Sequence, residues 1–214
     1  MVEAKNIMKT GTTTVAIKCS DGVVLAADKR ATAGYLVANK KVEKIVKITD
    51  NLAVTTAGTV SDIQLLIKLI RAELKLKSIR INRDLSVKEA VSLLSNMVYN
   101  NIRKFSTIPG ISHFIVGGKD EKGSHAYDVG ADGSVSEVDD YVSSGSGSVM
   151  AYGVLETLYK KDMSVDEAIK LGVKAVNAAV QRDIASGNGI DVVAITKDGL
   201  KKVFSKELDM TISM

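Results

Sequence analysis

The stretch TTTVAIKCSDGVVLAA, Thr12 to Ala27, decides the fold. Val15-Ala16-Ile17 and Val23-Val24-Leu25-Ala26-Ala27 are strand-forming runs, and Ser20-Asp21-Gly22 between them is a turn signal, so the segment reads as a hairpin. Both runs are apolar at nearly every position instead of alternating with polar residues. Such strands need cover on both faces. Working outward, further strands are predicted at Val42 to Ile48 and at Leu52 to Ala57, the latter ending at Gly58.

The middle of the chain turns helical. Ser61 reads as an N-cap, and Ile63, Leu66, Ile67, Ile70 and Leu74 keep one apolar face to about Leu76. Ser86-Val87-Lys88-Glu89 is a capping box that opens a second helix through Ile102, before Pro109-Gly110 breaks the chain. Strands return at Phe114 to Gly118 and Ala126 to Val129. The run Ser143-Ser144-Gly145-Ser146-Gly147-Ser148 then leads into a helix through Tyr159. A second capping box, Ser164 to Glu167, starts a helix reaching Arg182, and strands at Ile190 to Thr196 and Leu200 to Phe204 close the chain. Pairs of helices thus alternate with antiparallel strands, which argues against a doubly wound parallel sheet. Hairpins buried on both faces predict an α+β fold of four layers, αββα: two antiparallel sheets between helix pairs, in a single domain.

Bulk composition narrows the function classes. Apolar residues are 45% and charged residues 25% of 214, the profile of a globular chain with a sizeable core. Lys and Arg exceed Asp and Glu only by 29 to 25, without a basic block interleaved with aromatics, so nothing points to nucleic acid. No apolar run approaches the ~20 residues of a membrane span, and Met1 to Thr10 lacks the apolar core of a secretory signal. A single cysteine, Cys19, allows no internal disulfide and reads as a buried, inert thiol. A reducing, cytoplasmic compartment is expected.

Several residues carry chemistry without declaring it alone. If the Gly11–Thr12 bond were cut, Thr12 would hold a hydroxyl and an α-amine that titrates at about 7.7–8.0, nucleophile and base in one residue. A strand start after a frayed tail explains the same threonines. Asp28-Lys29-Arg30 ends a strand, a natural place for a site and equally for a charged turn. Lys44, among Val42, Ile45, Val46 and Ile48, must snorkel, pair or titrate low, and snorkelling is the commonest of these. Gly58 could aim its N–H at an oxyanion or simply turn the chain. The Ser/Gly run lacks the spacing of a phosphate loop and reads as a structural turn. Asp183 sits at a helix end, where an acid opposes the macrodipole. His113 and His125 lie in unrelated segments, so neither a zinc site nor a Ser-His-Asp triad is expected.

The ordered set Gly11-Thr12-Thr13-Thr14, Asp28-Lys29-Arg30-Ala31-Thr32, Lys44, Ala57-Gly58-Thr59-Val60-Ser61-Asp62, Gly145-Ser146-Gly147 and Arg182-Asp183-Ile184-Ala185-Ser186-Gly187 resembles the catalytic β subunit of the 20S proteasome, archaeal type. The likeness runs from Thr12 to about residue 205. It implies an N-terminal-nucleophile hydrolase fold and a propeptide, residues 1–11, removed autocatalytically between Gly11 and Thr12 to leave a catalytic domain of residues 12–214. By the same resemblance Thr12 is the nucleophile, Lys44 lowers its pKa and Asp28 holds Lys44 charged. The Gly58 N–H would stabilise the oxyanion, and Ser146, Asp183 and Ser186 would orient the Thr12 amine. Ala31, Val42, Val46, Thr56 and Val60 would line the pocket for the substrate residue before the cut, with Thr56 at its floor. No metal and no cofactor are implied. The implied partners are proteasome α subunits and other β subunits in stacked heptameric rings, a regulatory ATPase acting through the α rings, and unfolded polypeptide as substrate. Two other readings remain at this point: an unprocessed, largely structural β subunit, and a free-standing amidase of the same nucleophile class.

Overall fold

The computed structural model describes residues 11–208. The expected propeptide therefore lies outside the described residues except for Gly11. The opening hairpin forms as read, with β1 (Thr14–Cys19) and β2 (Gly22–Asp28) paired antiparallel from Thr14↔Ala27 to Cys19↔Gly22. Alternate residues serve two different cores. Val15, Ile17, Cys19, Val24 and Ala26 pack toward helices, whereas Ala16, Val23, Leu25 and Ala27 pack toward the other sheet. That division is the physical reason for the unbroken apolar run.

After β2 come a short hairpin, β3 (Ala31–Ala33) with β4 (Leu36–Asn39), and the strands β5 (Ile45–Thr49) and β6 (Leu52–Gly58). Helices α1 (Val60–Ile81) and α2 (Val87–Arg103) follow, then β7 (Ser112–Asp120), β8 (Gly123–Val129), β9 (Val135–Val138) and β10 (Tyr141–Ser144). The chain continues through α3 (Ser148–Leu158), α4 (Val165–Arg182), β11 (Gly189–Thr196) and β12 (Gly199–Glu207). Two five-stranded antiparallel sheets result, ordered β10-β1-β2-β11-β12 and β5-β6-β7-β8-β9. Helices α1 and α2 cover the second sheet through Ile63, Leu66, Ile70, Val91, Leu94 and Val98. On the first sheet, Ala168, Leu171, Ala175 and Val176 of α4 pack with Ala151 and Leu155 of α3. The α+β, four-layer αββα architecture is therefore the observed one.

Small residues set the spacing. A Cβ on Gly172 of α4 would stand 3.2 Å from the Ala26 Cβ, so α4 lies close against β2 and little aromatic volume is needed. Both capping boxes form: Ser86 with Glu89 and Ser164 with Glu167. Ser61 is not the cap of α1. Thr59 holds that position without a side-chain bond, and its own N–H donates to the Ile111 carbonyl at 2.8 Å. The helix also outlasts its apolar face, running to Ile81 and ending on Asn82 in the left-handed conformation (φ 52°). Strands β3, β4, β9 and β10 are further elements beyond those read from the sequence; they are three or four residues long, too short to show a period. Among the described residues no helix is long and apolar enough to cross a membrane.

Candidate active site

The site forms where the two sheets end together. The β1–β2 register carries Thr12 and Thr13 past the end of β1 to face Asp28, whose N–H donates to the Thr13 carbonyl at 3.1 Å. The facing sheet contributes Lys44, just ahead of β5, and Gly58, the last residue of β6; the Thr56 N–H donates to the Lys44 carbonyl at 2.9 Å and keeps the two aligned. Thr12, Asp28, Lys44 and Ser186 are all buried.

Lys44 does not snorkel. Its ammonium donates to Asp28 Oδ1 at 2.7 Å and to the Gly11 carbonyl at 3.3 Å, with 4% of the lysine side chain and none of the aspartate exposed. Every face of that carboxylate is used. Oδ1 also accepts the Thr13 N–H at 2.9 Å, while Oδ2 accepts those of Arg30 at 3.0 Å and Gly187 at 2.9 Å. Burial pushes the Lys44 pKa below its ordinary value, while the charges of Asp28 and, more weakly, Asp183 pull it back. A lysine so placed sits nearer to giving up a proton than a surface lysine does.

Asp183, the C-cap of α4, accepts at Oδ2 from both Ser146 and Ser186, each at 2.7 Å. The Ala185 N–H satisfies Oδ1 at 3.2 Å. Of the three residues expected around the Thr12 nitrogen, only Ser146 touches it: the Thr12 N–H donates to Ser146 Oγ at 3.3 Å. Ser186 instead meets the Thr13 hydroxyl at 2.6 Å. Since the Ser186 proton goes to Asp183, Thr13 is the donor in that contact. Two parallel hydrogen-bond chains thus end on one carboxylate oxygen, starting from Thr12 N and from Thr13 Oγ1. Gly145 (φ 94°) and Gly147 let this turn press onto the threonines; a Cβ would stand 2.1 Å from the Thr12 carbonyl oxygen at Gly145 and 2.0 Å from Thr13 Oγ1 at Gly147.

Beside Thr12 opens a cleft walled by Ala31, Val42, Thr56 and Val60, with Lys44 and Gly58 at its inner edge. Thr32 and Ile63 also line it, beyond the expected set. Val46 does not. It points to the other face of its strand and packs on the core beneath α1 and α2, as the alternation from Ile45 requires. The Thr56 hydroxyl donates to the Lys44 carbonyl at 3.3 Å, which leaves a mostly apolar wall. Gly58, at φ 123°, occupies a conformation L side chains rarely adopt, and a Cβ there would lie 2.2 Å from the Ile111 carbonyl oxygen.

The remaining candidates are structural. His113 bridges Asp128 at 2.6 Å and Ser144 at 3.0 Å, pinning one sheet to the other, and His125 pairs with Asp120 at 3.2 Å. Burial raises the Cys19 thiol to about 11, so it is inert. Lys29 points away from the site to Asp191 at 3.4 Å. Among the described residues no group of three His, Cys, Asp or Glu side chains is placed to hold a metal. Thr13, Arg30 and Thr32 also support the site; the sequence places them within the motifs of the resemblance but assigns them no role, because a threonine in a strand and an arginine in a turn carry no spacing signal of their own.

A buried lysine–carboxylate pair beside a threonine, set between the ends of two covered sheets, defines a class of hydrolase architecture, and comparison with known proteins supplies the family. The proteasome subunit family model matches residues 8–195. The chain is 46% identical over 199 residues to a proteasome subunit beta of Ferroglobus placidus, covering 93% of each chain. It is 47% identical over 198 residues to proteasome subunit beta 2 of Pyrococcus abyssi, covering 92% of this chain and 93% of that one. Against a proteasome subunit beta of Archaeoglobus fulgidus the identity is 43% over 213 residues, 100% of this chain and 97% of the other. The chain belongs to the proteasome family, as a β subunit of the 20S particle.

Proposed function

We propose that this β subunit is a threonine endopeptidase made as a precursor, in which residues 1–11 are a propeptide and residues 12–214 the catalytic domain. The observation that carries the reading is the meeting of two donors on one carbonyl. The Thr12 hydroxyl donates to the Gly11 oxygen at 2.7 Å, and Lys44, itself paired with Asp28, donates to the same oxygen at 3.3 Å. In self-cleavage Thr12 Oγ adds to the Gly11 carbonyl carbon, and its proton passes to the Thr12 nitrogen as the C–N bond breaks. Water then hydrolyses the resulting ester, releasing the Gly11 carboxylate and restoring the hydroxyl.

The freed Thr12 carries nucleophile and amine base together. Its Oγ attacks a substrate carbonyl to form an acyl-enzyme, with protons moving through the α-amine that Ser146 contacts. Lys44, held by Asp28, stabilises the ionised nucleophile. The Gly58 N–H serves the tetrahedral oxyanion, a donor worth about 3–4 kcal/mol of barrier. Asp183 and Ser186 act behind Ser146 and Thr13. Ala31, Val42, Thr56 and Val60 receive the substrate residue before the cut.

We place the subunit in stacked heptameric rings of α7β7β7α7 type in the cytoplasm, fed with unfolded polypeptide by an ATPase docked on the α rings. No cofactor enters the chemistry. The test is treatment of assembled particles with a peptide epoxyketone, followed by intact mass. A chain shortened by residues 1–11 and joined to the inhibitor at both hydroxyl and amine of Thr12 is the expected product. Full-length, unmodified chains would sink the peptidase reading and leave a structural β subunit.

A further inference from the structure

We infer that Thr32 is a positioning residue for self-cleavage, holding Gly11 through its amide while the carbonyl of the same residue is attacked. The inference deepens the precursor reading and rests on it. The Gly11 N–H donates to Thr32 Oγ1 at 3.0 Å in a buried contact, and Thr32 is 6% exposed. The Gly11 oxygen is held on its other side by Thr12 Oγ1 and Lys44. Between these two anchors the α-carbon has no room to swing, since a Cβ on Gly11 would stand 1.7 Å from the Ala185 Cβ. Residue 11 is thus fixed at its amide, its carbonyl and its α-carbon.

Thr32 lies on β3 at the step where the β3–β4 pairing slips from Ala31↔Asn39 to Thr32↔Val37, the extra residue, Ala38, being on β4. Bulges of this kind are over-represented beside active sites. Without the hydroxyl, the Gly11 N–H would be buried with its acceptor gone, and rotation about the φ and ψ bonds of Gly11 could carry its carbonyl away from Thr12.

The hydroxyl serves an amide that departs with the propeptide. Thr32→Val, which keeps the shape and removes the acceptor, should therefore slow cutting more than it slows the finished enzyme. The experiment follows intact mass of full-length subunits over time in assembled particles of wild type, Thr32→Val and Thr32→Ser. Peptide hydrolysis is then measured as kcat and KM per processed chain. Cutting after Gly11 is expected to slow about tenfold or more in Thr32→Val, the scale of one unmade buried hydrogen bond. Turnover per processed chain should fall by less, and Thr32→Ser should restore cutting. Wild-type cutting in Thr32→Val overturns the inference. So does a Ser variant as slow as the Val variant, or a loss of turnover per processed chain equal to the loss of cutting rate. Wild-type particles that never cut after Gly11 would instead remove the precursor reading itself.

Discussion

Lys44 and Asp28 meet at 2.7 Å with almost no water around them, and that burial separates what the pair does for stability from what it does for chemistry. Removing one partner leaves an uncompensated buried charge, which typically costs about 3–5 kcal/mol, whereas removing both is far cheaper. Lys44→Met alone should therefore lower the melting temperature sharply and abolish both self-cleavage and peptide hydrolysis. Combined with Asp28→Asn, part of the thermal stability should return, limited by the Asn NH2 facing backbone N–H groups that Asp28 now accepts, and none of the activity. A double variant that regained turnover would remove Lys44 from the mechanism. Thr12→Ala gives the complementary case: it should leave the fold intact and the bond after Gly11 uncut, with peptide hydrolysis lost; intact mass and a peptide assay read both. At this scale the sequence spoke only through joint pattern. The structure brings Thr12, Asp28, Lys44 and Ser146 together, but the direction of a side chain is not a property of spacing. Thus Lys44 turns inward because Asp28 is there to receive it, and Val46 turns away because strand alternation sends it to the helix side.

Helix α2 begins with a reciprocal cap strengthened by an outside charge. Glu89 accepts from the Ser86 N–H at 2.8 Å, and Arg83 grips its two oxygens at 2.7 and 3.0 Å. Arg83 first, and then Ser86, hold the Glu89 carboxyl down to about 2, below an ordinary 4.5. A carboxylate lowered on folding contributes stability above its unfolded value and loses it as pH falls through its folded one. Wild type should therefore melt above Glu89→Gln near neutral pH, by on the order of 1 kcal/mol because the pair is exposed. That gap should narrow as pH drops from about 4.5 toward about 2, and a pH-independent gap would contradict the ion pair as its source. Elements with a local signature were legible: both capping boxes, the opening hairpin and the apolar face of α1. Elements defined by their neighbours were not. Strands β9 and β10 exist because β8 and β1 offer edges to pair with. The start of α1 falls at Val60 because the carbonyl of Ile111 claims Thr59.

The four layers leave one helix with two apolar faces. Beneath α1, Ile63, Leu66, Ile70 and Leu74 meet the sheet, while Leu65, Leu69, Leu76 and Ile79 remain about half exposed at 50%, 44%, 50% and 65%. These outward residues fall three or four apart, or at multiples of that step, so they form a stripe fit to receive another helix. In a subunit that assembles with other proteasome subunits, such a stripe is surface awaiting cover. Leu69→Lys with Ile79→Lys should preserve the helical circular dichroism of the chain and shift its size-exclusion peak to smaller species; an unchanged assembly peak would mean that this face is not used. A precursor cut after Gly11 would have one further property. Gly11 packs against Ala185 and lines the cleft beside Thr12, so a cut after it would fall inside the site. If residues 1–11 are removed as proposed, a reporter fused ahead of Met1 would travel with the released piece, and one fused after Met214 would stay with the particle. The ratio of the two signals in a cell would read the age of its proteasomes since assembly.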